Sequence, residues 1–442
     1  MAAFRVDIDE NRSAWTDDKA PYRPEPPLAT DIEVDVAIVG GGFTGVSTAL
    51  HLAERFPERS VAILEARHLA NGASGRNGGM VLNWVNGVER GDPERARRVY
   101  EVTRGGIDRI EALVAAHRIP GVFRRDGCLE VFTDPARAAA AALEAEWLQA
   151  AGVPVRFLSP AELARTLRIE GAAGALLDPH AGQLDGVGFL RGLKPALLAR
   201  GVRIYEDTPV LSVREGATCT LATPLAEVRA AAIVLATNAY TPHLGYFRSG
   251  ILPLHSHVVA TEPLSAERWA ELGWRGVAGF SDDLDRIAYA SMTPGGRLVF
   301  GGGSNTSYGY QYGGDTSWRG TPSAGFAAVE ARMRAYLPGT ADVAITSRWT
   351  GPVAVTLSRV PTMGVRGEHR NVYFALGYSG HGVTLATLAG RVLTDLYSGD
   401  DAFWRGLPFY QQRLLWIPPE PMRWAGYHAV TALTGKSPRR RL

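Results

Sequence analysis

Residues 34–45 read VDVAIVGGGFTG, and the fold follows from them. Val34–Val39 is a short apolar run closed by glycine, the pattern of a buried parallel strand. Gly40, Gly42 and Gly45 follow, with Phe43 and Thr44 between the last two, and then Val46, Ala49, Leu50 and Ala53 recur at helical spacing. A second apolar run, Val61–Leu64, ends at Glu65, ahead of Ala66 and Arg67. In a turn of this kind the first glycine permits the tight bend, the second lets backbone approach a pyrophosphate, and the third lets helix and strand pack closely. The helix start offers unpaired N–H groups to phosphate. Glu65, twenty residues after Gly45, is placed to accept a ribose 2′-hydroxyl. A glycine turn alone is weak; set between two strands and before an acid, it predicts a dinucleotide unit. It suits NAD and FAD equally.

The stretch GASGRNGG at 72–79 separates the two. A second loop of small residues lets backbone amides reach the rest of an extended cofactor, which FAD needs more than NAD does. On composition alone the same loop also reads as a flexible surface turn.

Outward from this core, 442 residues with 46% apolar and 21% charged side chains describe a globular chain of two or three units. The net charge is +2, and the basic run near the end (Lys436, Arg439–Arg441) reads as a solvated tail, so neither nucleic acid nor a membrane is an expected partner. No apolar run approaches membrane-span length and the first residues are polar, which predicts a cytoplasmic protein. Cys128 and Cys219 fit neither a disulfide framework nor a metal site, and His255 with His257 lacks further ligands at matching spacing; no metal is expected.

Proline-rich residues 1–30 read as a surface arm. Helices are predicted over 91–118, 134–151, 187–200 (bent or broken at Pro195), 323–336 and 383–396. Strands are predicted as a pair around 127–132 and over 203–213, 232–237, 252–261, 286–292, 297–301, 342–349 and 372–376. The fold class is α/β: a Rossmann-type cofactor domain (31–90, 186–240 and 350–400) interleaved with an antiparallel-sheet substrate domain (91–185 and 241–349), and a C-terminal extension over 401–442.

GGGFTG (40–45), GASGRNGG (72–79), RWTG (348–351), TLSRVP (356–361), GYSGHGV (377–383) and LAGR (388–391) together resemble the D-amino-acid oxidase-type flavoprotein superfamily. Within it the sequence is most similar to the γ-glutamylputrescine oxidoreductases. The resemblance spans residue 35 to about 400. It implies that Gly40, Gly42, Phe43, Thr44, Gly45, Glu65, Ala66 and Arg67 bind the ADP part of FAD. It further implies that Ala73, Ser74, Arg76, Asn77, Gly78 and Gly79 line the pyrophosphate, ribityl chain and flavin. Val210, in the expected strand RIYEDTPVLSV, would meet the adenine, and Ala236 and Thr237 would form a later small-residue turn. Gly351, Gly380, His381, Gly382, Val383 and Thr384 would adjoin the flavin, with a helix starting near Val383 aiming its positive end at the ring.

Some members attach FAD through a cysteine at the position of Gly351, so non-covalent FAD is expected here. Some use a lysine near the flavin to speed reaction with oxygen. Lys19, Lys194 and Lys436, the only lysines, are not placed for that, so the acceptor is oxygen or another molecule.

The resemblance implies oxidation of an amine CH–NH group to an imine, for which the cofactor carries the hard chemistry. Substrate-side candidates are His381, Tyr289, Arg286, His257 and Trp349, with Tyr378 and Trp84 behind them; for any single aromatic, core packing is the competing reading. A γ-glutamylated polyamine or related primary amine is the first substrate class. An aminophosphonate, a D-amino acid and an N-methyl amino acid are alternatives, as is a non-catalytic FAD-binding assembly protein. Tyr308, Tyr310 and Tyr312 alternate like a pocket lid or a solvated hairpin, and a homodimer is compatible with the chain.

Overall fold

The computed structural model describes residues 8–17, 19, 21–88, 91–318 and 323–434. The strands that carry the site are, in chain order, β1 (Ile32–Val39), β2 (Val61–Leu64), β3 (Glu227–Leu235), β4 (Leu252–Pro263), β5 (Ala288–Met292), β6 (Arg297–Gly302), β7 (Ile345–Val355) and β8 (Val372–Leu376). Among the helices are α1 (Phe43–Arg55), α2 (Pro93–Ala116), α3 (Gly186–Ala199), α4 (Gly382–Ser398) and α5 (Met422–Thr434).

β1 is the centre of the first sheet because both of its faces are covered. It pairs in parallel with β2 through Val36 and Val61 and with β3 through Ala37 and Ile233, while β3 continues in parallel to β8. All four residues of β2 and all five of β8 are buried, which explains continuous apolar runs rather than alternation. Helices α1 and α4 pack on this sheet with their apolar faces inward; α4 alone buries Leu385, Leu388, Val392, Leu393 and Leu396. Such burial contributes about 1.5–3 kcal/mol for each large aliphatic side chain.

The second sheet is mostly antiparallel. β4 lies between β6 and β7, and β5 pairs with β6. β7 runs six residues past its expected end at Trp349, because Thr350–Val355 stay in register with Leu252–His257 of β4. Gly351 therefore sits inside a strand, opposite Ser256.

Several expectations are corrected. Residues 8–17 do not simply lie on the surface: Asn11, Ser13, Ala14 and Trp15 are buried, with Trp15 donating to Asn77 O (2.8 Å), Asn11 to Gly75 O (2.9 Å), and Ser13 to Gly75 O (2.6 Å). The arm thus clamps the 72–79 loop. α3 runs through Pro195 unbroken, since the buried Leu190, Leu193 and Leu197 outweigh the one hydrogen bond that proline removes. The segment 203–213 is two strands, Arg203–Tyr205 and Ser212–Arg214, with Val210 in the loop between them. Phe123–Arg124 and Cys128–Phe132 do not pair with each other but join different sheets. Tyr308–Tyr310 is a strand of the second sheet rather than a solvated hairpin. It pairs with β4, and Tyr310 is buried with its hydroxyl on Glu420 (2.5 Å). Lys436 and Arg439–Arg441 lie outside the described residues.

Candidate functional site

One cavity of about 750 Å³ runs between the two sheets, lined at one end by Gly40, Gly42, Phe43, Thr44, Glu65 and Ala66, and at the other by Tyr289, Arg286, Tyr308 and His381. The first end is built from backbone. Gly40 holds φ +109°, and a Cβ on Gly45 would fall 1.9 Å from Gly40 O, so only glycine lets α1 start this close to β1. A Cβ on Gly42 would meet Ser74 Oγ at 2.6 Å. No side chain caps α1 at Gly42; Phe43 N donates to Ser74 Oγ (3.0 Å), and the open start of the helix faces the cavity.

Glu65 is buried behind this turn. Its carboxylate accepts from Gly41 N (2.6 Å) and Arg67 N (3.0 Å), and burial pushes its pKa up to about 7. Val210 lines the same end from its loop, and Ala236 and Thr237 follow β3 along the wall. A backbone cradle, an open helix start and a buried acid fit a dinucleotide phosphate and ribose, which need close main-chain approach and a polar partner.

The middle of the cavity is lined by Ala73, Ser74, Arg76, Asn77 and Gly78. Asn77 holds this loop by donating to Ala73 O (3.0 Å) and Ser74 O (2.8 Å) and by accepting from Gly79 N (2.7 Å). Arg76 borders the cavity, with its donors on the carbonyls of Asn71 (2.8 Å), Thr350 (3.4 Å) and Asp9. Opposite lies the start of α4. His381 is its N-cap position without a side-chain cap, and Gly380, His381, Gly382 and Val383 line the cavity there. This second open helix start is suited to an electron-rich ring edge. Tyr378 shares a hydrogen bond of 2.7 Å with Thr44, tying the two helix starts together.

The far end is a wall of side chains. The ring of Tyr289, from β5, lies where a Cβ on Gly78 or Gly301 would come within 2.5 and 2.2 Å, so both glycines make room for it. Its hydroxyl is 3.3 Å from that of Ser256 in β4, and burial pushes its pKa up to about 12, keeping it neutral. Asp285 accepts from Arg359 and from Arg286 (3.4 Å), and Arg286 also donates to Asn305 (3.1 Å). Two guanidinium groups are thereby held on the cavity wall around one carboxylate.

Most residues singled out in the sequence gather here, and several do not. Gly45, Arg67, Gly79 and Thr384 support the walls from behind: Thr384 donates to Leu82 O (2.7 Å), and Arg67 to Ile8 O (2.9 Å). His257 and Trp349 are not on the cavity wall. His257 is fully buried beside Phe326, with Nδ1 3.0 Å from Ser307 O, and Trp349 donates to Arg76 O (2.9 Å) from within the core. Alternation along β4 turns His257 away from the face of the lining Leu254 and Ser256, whereas Trp349 shares the face of Gly351 and Val353 but lies past the cavity, under the Arg76 backbone. Arg359, Asp285, Asn86, Tyr240 and Tyr308 line the cavity and carried no pointed sequence signal, except that Arg359 falls within TLSRVP and Tyr308 within the tyrosine alternation. Neither cysteine lines it.

A family model described as FAD dependent oxidoreductase matches residues 35–396. The γ-glutamylputrescine oxidoreductase of Escherichia coli (strain K12) is 31% identical over 403 residues, covering 88% of this chain and 90% of that protein. Among solved structures, glycine oxidase from Geobacillus kaustophilus superposes with a TM-score of 0.72 at 22% identity, covering 87% of this chain and 99% of that one. L-proline dehydrogenase from P. horikoshii superposes with a TM-score of 0.70 at 21% identity, covering 87% and 96%.

Proposed function

Since the chain belongs to the FAD-dependent oxidoreductase family, we propose that it oxidises the CH–NH group of a small amine to an imine, which water hydrolyses to a carbonyl compound and an amine or ammonia. The first substrate class is a γ-glutamylated polyamine or a related primary amine, supported by the 31% identity to the γ-glutamylputrescine oxidoreductase. The observation that carries this reading is the cavity of about 750 Å³, which has a backbone cradle at one end and an aromatic, arginine-lined wall at the other.

Bound non-covalently, FAD supplies a two-electron acceptor for the hydride that leaves the amine carbon. The residues proposed to hold it are those of the 40–45 and 72–79 turns, Glu65, Val210, Ala236, Thr237, Gly351 and the 380–383 turn. The first sheet's segments form the cofactor-binding part, and the second sheet with its helices forms the substrate-facing part. Tyr289, with its ring fixed between Gly78 and Gly301, bounds the substrate and excludes water from it. His381 lies where the open start of α4 meets the cavity, and there it orients the reacting amine and influences its protonation. Arg286 and Arg359, held by Asp285, present positive charge to an acidic group on the substrate.

The test is anaerobic. The yellow protein is mixed with γ-glutamyl amines, polyamines, aminophosphonates and amino acids in turn, and absorbance near 450 nm is followed. Bleaching by γ-glutamyl amines supports the first class. Bleaching by another class alone replaces it, and a protein that no amine bleaches is non-catalytic with this panel. Admitting air after bleaching tells oxygen from another acceptor.

A further inference from the structure

The arginine-lined end of the cavity is backed by the C-terminal helix. Arg286, just ahead of β5, borders the cavity with a side chain only 13% exposed. Its Nη1 donates to Asp285 (3.4 Å), which also accepts from Arg359, and its Nε donates to Asn305 Oδ1 (3.1 Å). Two guanidinium groups against one carboxylate leave a net positive charge on a partly buried wall. Such a charge is costly unless an anion answers it.

Asn305, three residues after β6, carries the contact outward. Its Nδ2 donates to Thr431 O (2.5 Å) in the last turn of α5, where carbonyls take partners from outside the helix. The two bonds fix the amide one way round. Turned over, it would set its NH2 against a guanidinium and its oxygen against a carbonyl.

The rest of α5 holds the same wall. Tyr427 donates to Tyr308 O (3.0 Å), and Tyr308 lines the cavity. Burial raises the pKa of the Tyr427 phenol and the positive charge of Arg286 works against it, so the two side chains lie close together. Val430 and Thr434 reach an adjoining chamber of about 480 Å³ that shares Asp285, Arg359 and His381 with the main cavity. Arg423, Tyr427 and Thr431 are spaced i, i+4, i+8 and form the docked face. The opposite face, through Ala425, Ala429 and Leu433, is exposed and carries no charged residue.

We propose that Asn305, oriented by α5, aims Arg286 at an anionic group of the bound molecule and so makes the cavity select amines that carry a carboxylate or a phosphonate. Asn305 is a positioning residue: it does not line the cavity and acts through Arg286. This rests on the reading of Arg286 and Arg359 as the acid-facing pair.

The test uses probes that have no oxidisable amine. The FAD-loaded protein is titrated in a calorimeter with glutarate, propylphosphonate and uncharged glutaramide. The anions are expected to bind and glutaramide is not, and the tighter anion names the acid group. Asn305→Ala should weaken anion binding about tenfold, the cost of a hydrogen bond to a charged group, with FAD content unchanged. Asn305→Asp keeps an acceptor for Arg286 but cancels the net charge, and should abolish anion binding; a merely structural role would make it the milder change. In an Arg286→Gln background, Asn305→Ala should add nothing. Equal binding of anions and glutaramide, no binding of either anion, or additive effects of the two substitutions overturns the proposal. Anions that bind through Asn305 to a protein no amine bleaches would leave this inference standing and remove the amine reading. Bleaching by γ-glutamyl amines whose half-saturation Asn305→Ala leaves unchanged would remove this inference alone.

Discussion

The two ends of the cavity are made of different materials. At the cradle end the groups that face inward are mainly peptide N–H and glycine Cα, supplied by two short turns close together in the chain. At the far end they are side chains: Tyr289 from β5, Ser256 from β4, Arg359 from beyond β7 and Asn86 from a loop near the start of α2. Backbone contacts demand particular residue types, so the cradle leaves a pattern in the sequence. Side-chain walls demand only that strands meet in the right register, and register is written nowhere locally. The cradle is therefore expected to be intolerant of any added atom, while the wall is expected to tune rates and affinities.

The sharpest test of that contrast is Gly42→Val. A branched side chain where a Cβ already lies 2.6 Å from Ser74 Oγ should displace the phosphate position and weaken FAD retention by roughly 100-fold or more. The purified variant should be colourless; retention of flavin at wild-type stoichiometry would break the assignment of the turn.

At the other end, His381→Ala should leave FAD bound and slow flavin reduction by roughly 10- to 100-fold. Stopped-flow bleaching reads this directly, and an unchanged rate would make His381 part of the frame. Asp285→Asn releases the two guanidinium groups and should raise KM about tenfold with little change in kcat, as for a lost charged hydrogen bond. A fall in kcat alone would move Asp285 from positioning to chemistry.

The smallest effect on turnover belongs to Glu65, whose consequence is a pH dependence of stability. Burial raises its pKa from the ordinary 4.5 to about 7, so its contribution is fully present below pH 4.5 and is lost as pH rises through about 7. Thermal melting of the FAD-free protein should fall across that window, and Glu65→Gln should flatten the slope. An unaltered slope in the variant would assign it to other groups.

How much could be read in advance differs along the same line. β1, β2 and β8 were legible as apolar runs, and α1 and α4 as periodic stretches behind glycine turns, because each is buried by one simple rule. The core positions of His257 and Trp349 were not legible, because alternation shows which residues share a face without showing how far along that face the cavity reaches. The burial of residues 8–17 was not legible because the segment is mostly polar and runs into the proline-rich 21–27, yet Asn11, Ser13 and Trp15 bond to carbonyls of the 72–79 loop, and no local pattern encodes that partner.

The sequence by itself determined the dinucleotide unit, the fold class and the family. Glycines at 40, 42 and 45, the acid at 65 and the small-residue loops state what the backbone must do, and a backbone requirement is local. Only the tertiary structure decided which side chains line the far end of the cavity, that the N-terminal segment locks the second loop, and that α5 turns an uncharged face outward. Each of those depends on which distant segments meet, and that is set by the summed burial of the whole chain rather than by any short stretch of it.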